Sequence, residues 1–298
     1  MIEQPFPDLD SWVAYFHEAS LPVLRHTVQE LERMRENAEN VGGRALSGTI
    51  LRDPTMTLRV LGYIESKRGA RQTTDITTIE RAIMMIGIGP FFRDFQDLPR
   101  IEDQLRNHPQ ALLGLLKVVH RARRAAHWAR DWAMVRHDLD VDEITLAALL
   151  HDIAELLMWC FAPGIALQAR EMHIAHRHRR SAIIQTEVYG VPLYELKMAL
   201  AETWHLPRLL TQLMDNQHAE NPRVRNVKLA VDLARHAADG WSDPALPDDF
   251  KGIRELLRIN QQSLVRRLGV DESTSALLLT MTDQTGQADP ASRSSEVP

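Results

Sequence analysis

The sequence has little cysteine, glycine or aromatic content. Of its 298 residues, one is cysteine, 14 are glycine and 6% are aromatic. A lone cysteine, Cys160, excludes an internal disulfide framework and is typical of a reducing compartment. The N-terminus lacks the basic start and apolar core of a signal peptide. Together these absences predict a cytoplasmic protein.

Strand patterns, long apolar runs and a strong net charge are also missing. No stretch shows the alternation of apolar and polar residues that is typical of a half-buried strand. The longest apolar stretch is interrupted by His151, Asp152 and Glu155, so no membrane span and no membrane partner are expected. The formal net charge of −5 argues against nucleic-acid binding over the whole surface, which leaves nucleic acid as a less favoured partner.

Helical periodicity is what the sequence does contain. Apolar residues, 44% of the chain, recur at three- and four-residue steps and predict an all-α fold with a substantial core. Long helices are predicted at about 111–135, 165–188 and 253–268. Residues 284–298 are too polar to pack, and we expect a disordered tail there.

The segment from Ile144 to Trp159 is predicted to be a buried helix. Its leucines and isoleucines keep the helical period, yet His151 and Asp152 are set among them. Because an unsatisfied buried charge is costly, this pair needs partners. Either a metal ion or a hydrogen-bond network should lie beside it.

Two segments, 117–127 and 170–180, carry clusters of arginine, lysine and histidine. Such clusters are candidates for binding a nucleotide, a phosphorylated partner or nucleic acid, although many charged segments are simply solvated surface. The candidate anion-binding residues are Arg121, Arg124, Arg177 and Arg180.

Several short phrases occur in a fixed order along the chain. They are Leu21-Pro22, Asp53-Pro54 within 50–61, Ala82 to Gly87 within 79–87, His151-Asp152-Ile153, Gly190-Val191-Pro192 and Trp204 to Pro207. In order and spacing they are similar to the HDOD family, the bacterial regulatory relatives of HD-type phosphohydrolases. The resemblance covers roughly residues 18–270.

The resemblance implies an all-helical fold of two lobes. Residues 18–108 would form the N-terminal helical lobe, and residues 109–270 a degenerate HD-type phosphohydrolase core. Residues 1–17 would be an N-terminal extension. The family also implies a role in signalling and regulation.

The resemblance further implies a site for a divalent metal ion, and the candidate metals are iron, manganese and zinc. An HD-type hydrolase holds its metal with a first histidine, a His-Asp pair and a distal aspartate, and the metal activates a water molecule. The matching residues here are His120, His151 and Asp152.

The distal half of this motif departs from the family pattern. Leu193 stands where a histidine often follows the Gly-x-Pro turn, and Asn216 replaces one of two paired histidines, which leaves His218 alone. Arg235 occupies the place of the distal acid, while Asp232 lies one turn earlier.

Two interpretations of the site follow. In one, His120, His151 and Asp152 hold a metal, with Asp232 as a replacement fourth ligand. In the other, the residues form a satisfied polar cluster in which Arg235 neutralises Asp152 by an ion pair. We favour the second because two or three of the family's acid and histidine ligands are lost here, and most catalytic metal sites need at least three protein ligands. No catalytic residue and no cofactor are therefore expected.

Three functions remain as hypotheses. The first, which we favour, is a non-catalytic signalling module that binds a signalling protein or a small nucleotide ligand. The second is a metal-dependent phosphohydrolase acting on a nucleotide or cyclic dinucleotide. The third is a nucleic-acid-binding regulator that uses the basic helices. The sequence does not indicate the oligomeric state.

Overall fold

A computed structural model describes residues 1–67, 76–176 and 179–280. Over these ranges the chain forms eighteen α-helices and no strand, with one isolated bridge between Val23 and Arg100. The predicted all-α fold is confirmed. The predicted disordered tail, 284–298, and Arg177 lie outside the described residues.

The N-terminal part of the chain is a set of short helices. These are α1 (Leu9–Glu18), α2 (Arg25–Glu36), α3 (Gly43–Ile50), α4 (Pro54–Lys67), α5 (Ile79–Ile86), α6 (Ile88–Asp94) and α7 (Ile101–Gln104). Helix α3 packs against α2, α4 and α5, and α5 packs against α4 and α6. The hydroxyl of Thr78 caps α5 by accepting from the N–H of Arg81.

Asp53 ties the starts of α2 and α4 together. Its side chain is fully buried, and Oδ1 accepts from the N–H groups of Thr55 and Met56, at 3.0 and 3.1 Å, and from the Thr55 hydroxyl at 2.7 Å. Oδ2 accepts from the N–H of Leu24 at 2.8 Å. The carboxylate therefore caps α4 and fixes the residue just before α2.

The C-terminal part contains longer helices around a central one. These are α8 (Pro109–Val135), α9 (Val141–Leu150), α10 (Ile153–Phe161), α11 (Pro163–Ala175), α12 (Ser181–Tyr189), α13 (Leu193–Thr203), α14 (Arg208–Met214), α15 (Pro222–His236), α16 (Leu246–Leu257), α17 (Gln261–Leu268) and α18 (Glu272–Thr280). Helix α8 packs against α9, α10, α11 and α15.

Small residues let these helices approach α8 closely. At Gly114, a Cβ atom would lie 2.6 Å from the indole ring of Trp159 on α10. Ala122 and Ala129 are also buried on α8. The position of Trp159, which lines the cavity described below, thus depends on a glycine in the neighbouring helix.

Residues 1–17 pack on the C-terminal helices rather than standing apart. The N–H of Ile2 donates to the carbonyl of Phe161 at 2.7 Å, and Nε1 of Trp12 donates to the carbonyl of Tyr189 at 3.1 Å. Trp12 is fully buried, and α1 packs against α13. The extension implied by the resemblance is therefore part of the core.

Three helices that were predicted to be continuous are divided. The segment 144–159 is interrupted at His151 and Asp152, between α9 and α10, and the segment 165–188 is split into α11 and α12. The segment 253–268 is split between α16 and α17, where Arg258 takes a left-handed conformation with φ of 55°. Asn260 then caps α17 by accepting from the N–H of Ser263.

The segment Val141–Phe161 is long and apolar enough to match a membrane span by length and composition. However, 89% of its most apolar window is buried inside the protein. Its apolar side chains thus form the core between α8, α14 and α15, as expected for the central segment of a globular fold.

Candidate functional site

A cavity of about 600 Å³ lies among α8, α10, α11, α12, α13 and α15. The His151–Asp152 break between α9 and α10 lies in its wall, together with Lys197 of α13 and Arg235 of α15. The interruption in the apolar segment therefore places the two ionisable side chains at a cavity rather than in sealed core.

His151 bridges Asp152 and Lys197. It is 7% exposed, with Nδ1 3.2 Å from Oδ1 of Asp152 and Nε2 3.2 Å from Nζ of Lys197. The Asn216 carboxamide lies 3.1 Å from the same Nε2. Burial, assisted by the charge of Lys197, lowers the pKa of His151. The lowered pKa favours the neutral imidazole, whose Nδ1 faces the Asp152 carboxylate and whose Nε2 faces both Lys197 Nζ and Asn216 Oδ1.

Lys197 is a buried cation beside this imidazole. It is 3% exposed, and its Nζ donates to the carbonyl of Met214 at 2.8 Å. Burial lowers the pKa of Lys197 to about 8, against the opposing effect of Asp152. The ammonium form thus still predominates at pH 7, next to Nε2 of His151.

Asp152 is held by two arginines. Nε and Nη2 of Arg121 both donate to Oδ2, at 2.9 and 2.7 Å, and Nη2 of Arg235 lies 3.4 Å from Oδ1. Burial acts to raise the pKa of Asp152, but Arg121 and Arg235 outweigh it and hold that pKa well below its ordinary value. The carboxylate therefore stays ionised. The predicted pair between Arg235 and Asp152 is present, but the closer partner is Arg121.

Arg121 is an internal counter-ion instead of a surface anion-binding residue. Its Nη2 also donates to Glu155 at 2.6 Å, and its side chain is 12% exposed. Burial acts to lower the pKa of Arg121, yet Glu155 and Asp152 together raise it. Two carboxylates therefore already occupy this guanidinium, which the sequence analysis named as a candidate anion-binding group.

The structure does not bring His120 to His151 and Asp152. The side chain of His120 is exposed and does not line the cavity, whereas the next residue, Arg121, does. Adjacent residues on a helix diverge by about 100°, which turns the His120 side chain away from the direction of Arg121. In the described part of the chain, no group of three or more histidine, cysteine, aspartate or glutamate side chains is arranged to hold a metal.

Asp232 and His218 have other partners. Asp232 accepts from Lys228 at 2.6 Å and lies 3.4 Å from Nη1 of Arg235, and it does not line the cavity. His218 pairs with Asp215 at 2.8 Å. With Nε2 of His151 engaged by an ammonium and Asp152 by two guanidinium groups, the residues present do not fit a divalent metal ion.

The remaining predicted anion-binding residues are distributed differently. Arg124 lies over the rings of Trp128 and Trp241, 4.7 and 5.7 Å from their centroids, and Nη1 donates to the carbonyl of Ala237. Its cation therefore serves internal packing. Arg180 is exposed immediately before α12.

Lys197 is the residue of the candidate site that the sequence analysis missed. The sequence did contain an indication, because Lys197 follows Leu193 by four residues and precedes Leu200 by three, and so shares their buried helix face. A lysine in phase with buried leucines predicts a buried cation. What it could not predict is that the cation would meet His151, 46 residues earlier.

Comparisons with known proteins agree with this fold. The model of the HDOD domain family matches residues 21–220. No curated protein sequence matches the chain. A virulence factor from Campylobacter jejuni subsp. jejuni is 18% identical, with a TM-score of 0.63 over 90% of this chain and 98% of that chain. The MmoQ response regulator from Methylococcus capsulatus str. Bath is 18% identical, with a TM-score of 0.60 over 87% and 98%.

At this identity the two structures establish a shared fold and nothing finer. The family match is stronger evidence because it spans two thirds of the sequence and contains both the Asp53-Pro54 phrase and the His151–Asp152 pair. The chain belongs to the HDOD domain family.

Proposed function

We propose that this protein is a non-catalytic regulatory module that acts by binding a signalling protein or a small ligand through the cavity at His151. One observation carries the proposal: side-chain cations contact the two residues that an HD-type site would use to bind a metal. Lys197 lies against His151, and Arg121 and Arg235 pair with Asp152. Binding needs a shaped, polar cavity but no activated water.

Membership of the HDOD family supports this role, as does the name of MmoQ, which is called a response regulator. The cavity volume of about 600 Å³ falls within the range of small-molecule sites, about 300–1,000 Å³. The expected location is the cytoplasm, and the expected partners are a signalling protein or a small nucleotide.

The test is metal content together with turnover. Protein purified without chelator should carry far less than one iron, manganese or zinc per chain by elemental analysis. It should not hydrolyse nucleotides or cyclic dinucleotides when these metals are added. Stoichiometric metal that is lost in His151→Ala, together with metal-dependent hydrolysis, would instead establish the phosphohydrolase.

Nucleic-acid binding is tested separately by a gel shift at several salt concentrations. Two of the four arginines chosen from the sequence, Arg121 and Arg124, make internal contacts, so we expect no shift at physiological salt. A salt-dependent shift that disappears in Arg180→Gln would favour the nucleic-acid regulator over the present proposal.

A further inference from the structure

The cavity has an unequal distribution of charge. Among the described residues that line it are five cations and three carboxylates, which leaves two positive charges in excess. They are Lys117, Arg121, Arg170, Lys197 and Arg235, with Asp152, Glu155 and Asp239. A doubly charged anion would neutralise this excess. A phosphate monoester carries about −1.5 to −2 charge at pH 7, whereas a carboxylate or a phosphodiester carries one.

Two of these cations have hydrogen-bonding capacity left. An ammonium group has three donors, and Lys197 uses two, on Met214 and His151; no described residue accepts the third. Arg235 makes only long contacts of 3.4 Å, with Asp152 and Asp232, and its side chain is 41% exposed. Both side chains line the cavity and are able to donate to an anion inside it.

Part of the cavity lining is apolar and contains aromatic rings. Trp159, Ile184, Tyr189 and Leu193 contribute to it, and all four are largely buried. At the mouth, Arg170 is exposed and forms no ion pair with any described residue. A lining that combines cationic, aromatic and aliphatic side chains suits a ligand that carries both a phosphate and a flat ring.

We propose that the cavity binds a phosphate monoester of a ring-bearing compound, such as a nucleoside monophosphate, with the Lys197 ammonium in place of a metal ion. This inference rests on the proposed function, since it specifies the ligand of the same cavity. Lys197 and Arg235 donate to the phosphate oxygens, and Arg121 keeps Asp152 neutralised so that the carboxylate does not repel them. Binding is therefore independent of divalent metal.

The experiment is isothermal titration in EDTA-containing buffer. The probes are the four nucleoside 5′-monophosphates and phenyl phosphate, each compared with its uncharged parent. The cyclic nucleoside monophosphates serve as singly charged controls. At least one monoester should bind with a Kd below ~10 mM, about tenfold more tightly than its cyclic or uncharged counterpart. Manganese should leave this affinity unchanged.

Variants connect the binding to the proposed residues. Lys197→Met and Arg235→Gln should each weaken monoester binding by about tenfold, as expected for loss of a charged hydrogen bond. Arg266→Gln, which changes an exposed arginine of α17 away from the cavity, should bind as wild type does. If Lys197→Met does not fold by circular dichroism, Arg235→Gln decides the matter, because its side chain is half exposed.

The inference is overturned if no monoester binds, if binding requires a metal, or if the two variants bind as tightly as wild type. None of these binding results would show that the protein is an enzyme, because catalysis is tested separately by measuring hydrolysis with added metal. If monoesters bind without metal but are also hydrolysed when manganese is added, the proposed function fails while the assignment of the ligand stands.

Discussion

Two buried aspartates, one in each half of the fold, are stabilised in opposite ways. Asp53 is satisfied by three backbone N–H groups and a hydroxyl, all from neighbouring helix starts. Asp152 is satisfied by the side chains of Arg121, Arg235 and His151. The first carboxylate is fixed by the backbone, whereas the second depends on side chains that are able to adopt other rotamers.

This difference separates a structural role from a ligand-responsive one. Backbone donors at the starts of α2 and α4 cannot leave Asp53 without unfolding the helix ends. The long 3.4 Å contact of Arg235 with Asp152 can be exchanged for a contact to a ligand while Arg121 remains in place. Of the two sites, only the one around Asp152 lines a cavity of about 600 Å³.

The largest expected effect is at Asp53. Replacement with alanine leaves four buried donors without their acceptor, and we expect a loss of about 4 kcal/mol in the free energy of unfolding. Urea denaturation measures it. Asp53→Asn, which keeps one oxygen acceptor, should lose less. Asp8 caps α1 at the exposed surface, so Asp8→Ala should have a much smaller effect. Equal losses for Asp53→Ala and Asp8→Ala would contradict the structural role of Asp53.

The next effect distinguishes the two arginines on Asp152. Arg121→Met removes a buried partner of both Asp152 and Glu155, and we expect a loss of about 3 kcal/mol in unfolding free energy. Arg235 is 41% exposed, and solvent screens its long contacts, so Arg235→Gln should lose well under ~1 kcal/mol. If Arg235→Gln lost more unfolding free energy than Arg121→Met, then Arg235 would be the structural partner of Asp152, and Arg121 would be the arginine available to a ligand.

Glycines in the two halves provide a third comparison. Gly114→Ala places a Cβ 2.6 Å from the Trp159 ring, and overpacking of this kind should destabilise by about 2 kcal/mol. Gly62 lies within α4, where a Cβ would have no atom within 4 Å. Gly62→Ala should therefore stabilise by about 0.5–1 kcal/mol, through helix propensity alone. Thermal unfolding of both variants tests this, and a Gly114→Ala protein as stable as wild type would show that Trp159 moves freely.

The smallest effect is a dependence on pH. Burial lowers the pKa of His151 in the folded protein below the value of about 6.5 that histidine has in an unfolded chain. As the pH falls below about 6.5, the unfolded chain therefore binds this proton more readily than the folded protein does, and the free energy of unfolding decreases. His236 acts in the opposite sense, because the hydrogen bond to Asp249 raises its pKa in the folded protein. Its contribution to the free energy of unfolding is fully present below about pH 6.5 and is lost as the pH rises through the raised pKa.

Urea unfolding at pH 7, 6 and 5 separates these two histidines. His151→Gln should flatten the decline of stability between pH 7 and 5, by up to ~1 kcal/mol per pH unit. His236→Gln should steepen it, because it removes the histidine that favours folding in acid. Identical pH profiles for wild type and His151→Gln would contradict the buried, neutral imidazole.

The sequence was sufficient for the all-α fold class, because helical periodicity is a local property. It also located the His151–Asp152 pair and its need for partners. It failed at Arg258, where a left-handed residue divides a periodic stretch without glycine or proline to mark the place. The sequence also could not show that Arg121, and not His120, lines the cavity, because that depends on the rotation of α8, which is set by packing against α10 and α15.

The contact between Trp12 and the carbonyl of Tyr189 spans 177 residues of chain. During synthesis at about 5–20 residues per second, α1 must wait roughly 10–35 s before its binding surface emerges from the ribosome. Until then Trp12 and Phe16, both fully buried in the finished protein, are exposed on the nascent chain. Helix α1 is therefore made long before the residues on which it packs, and chaperones have access to it throughout that interval.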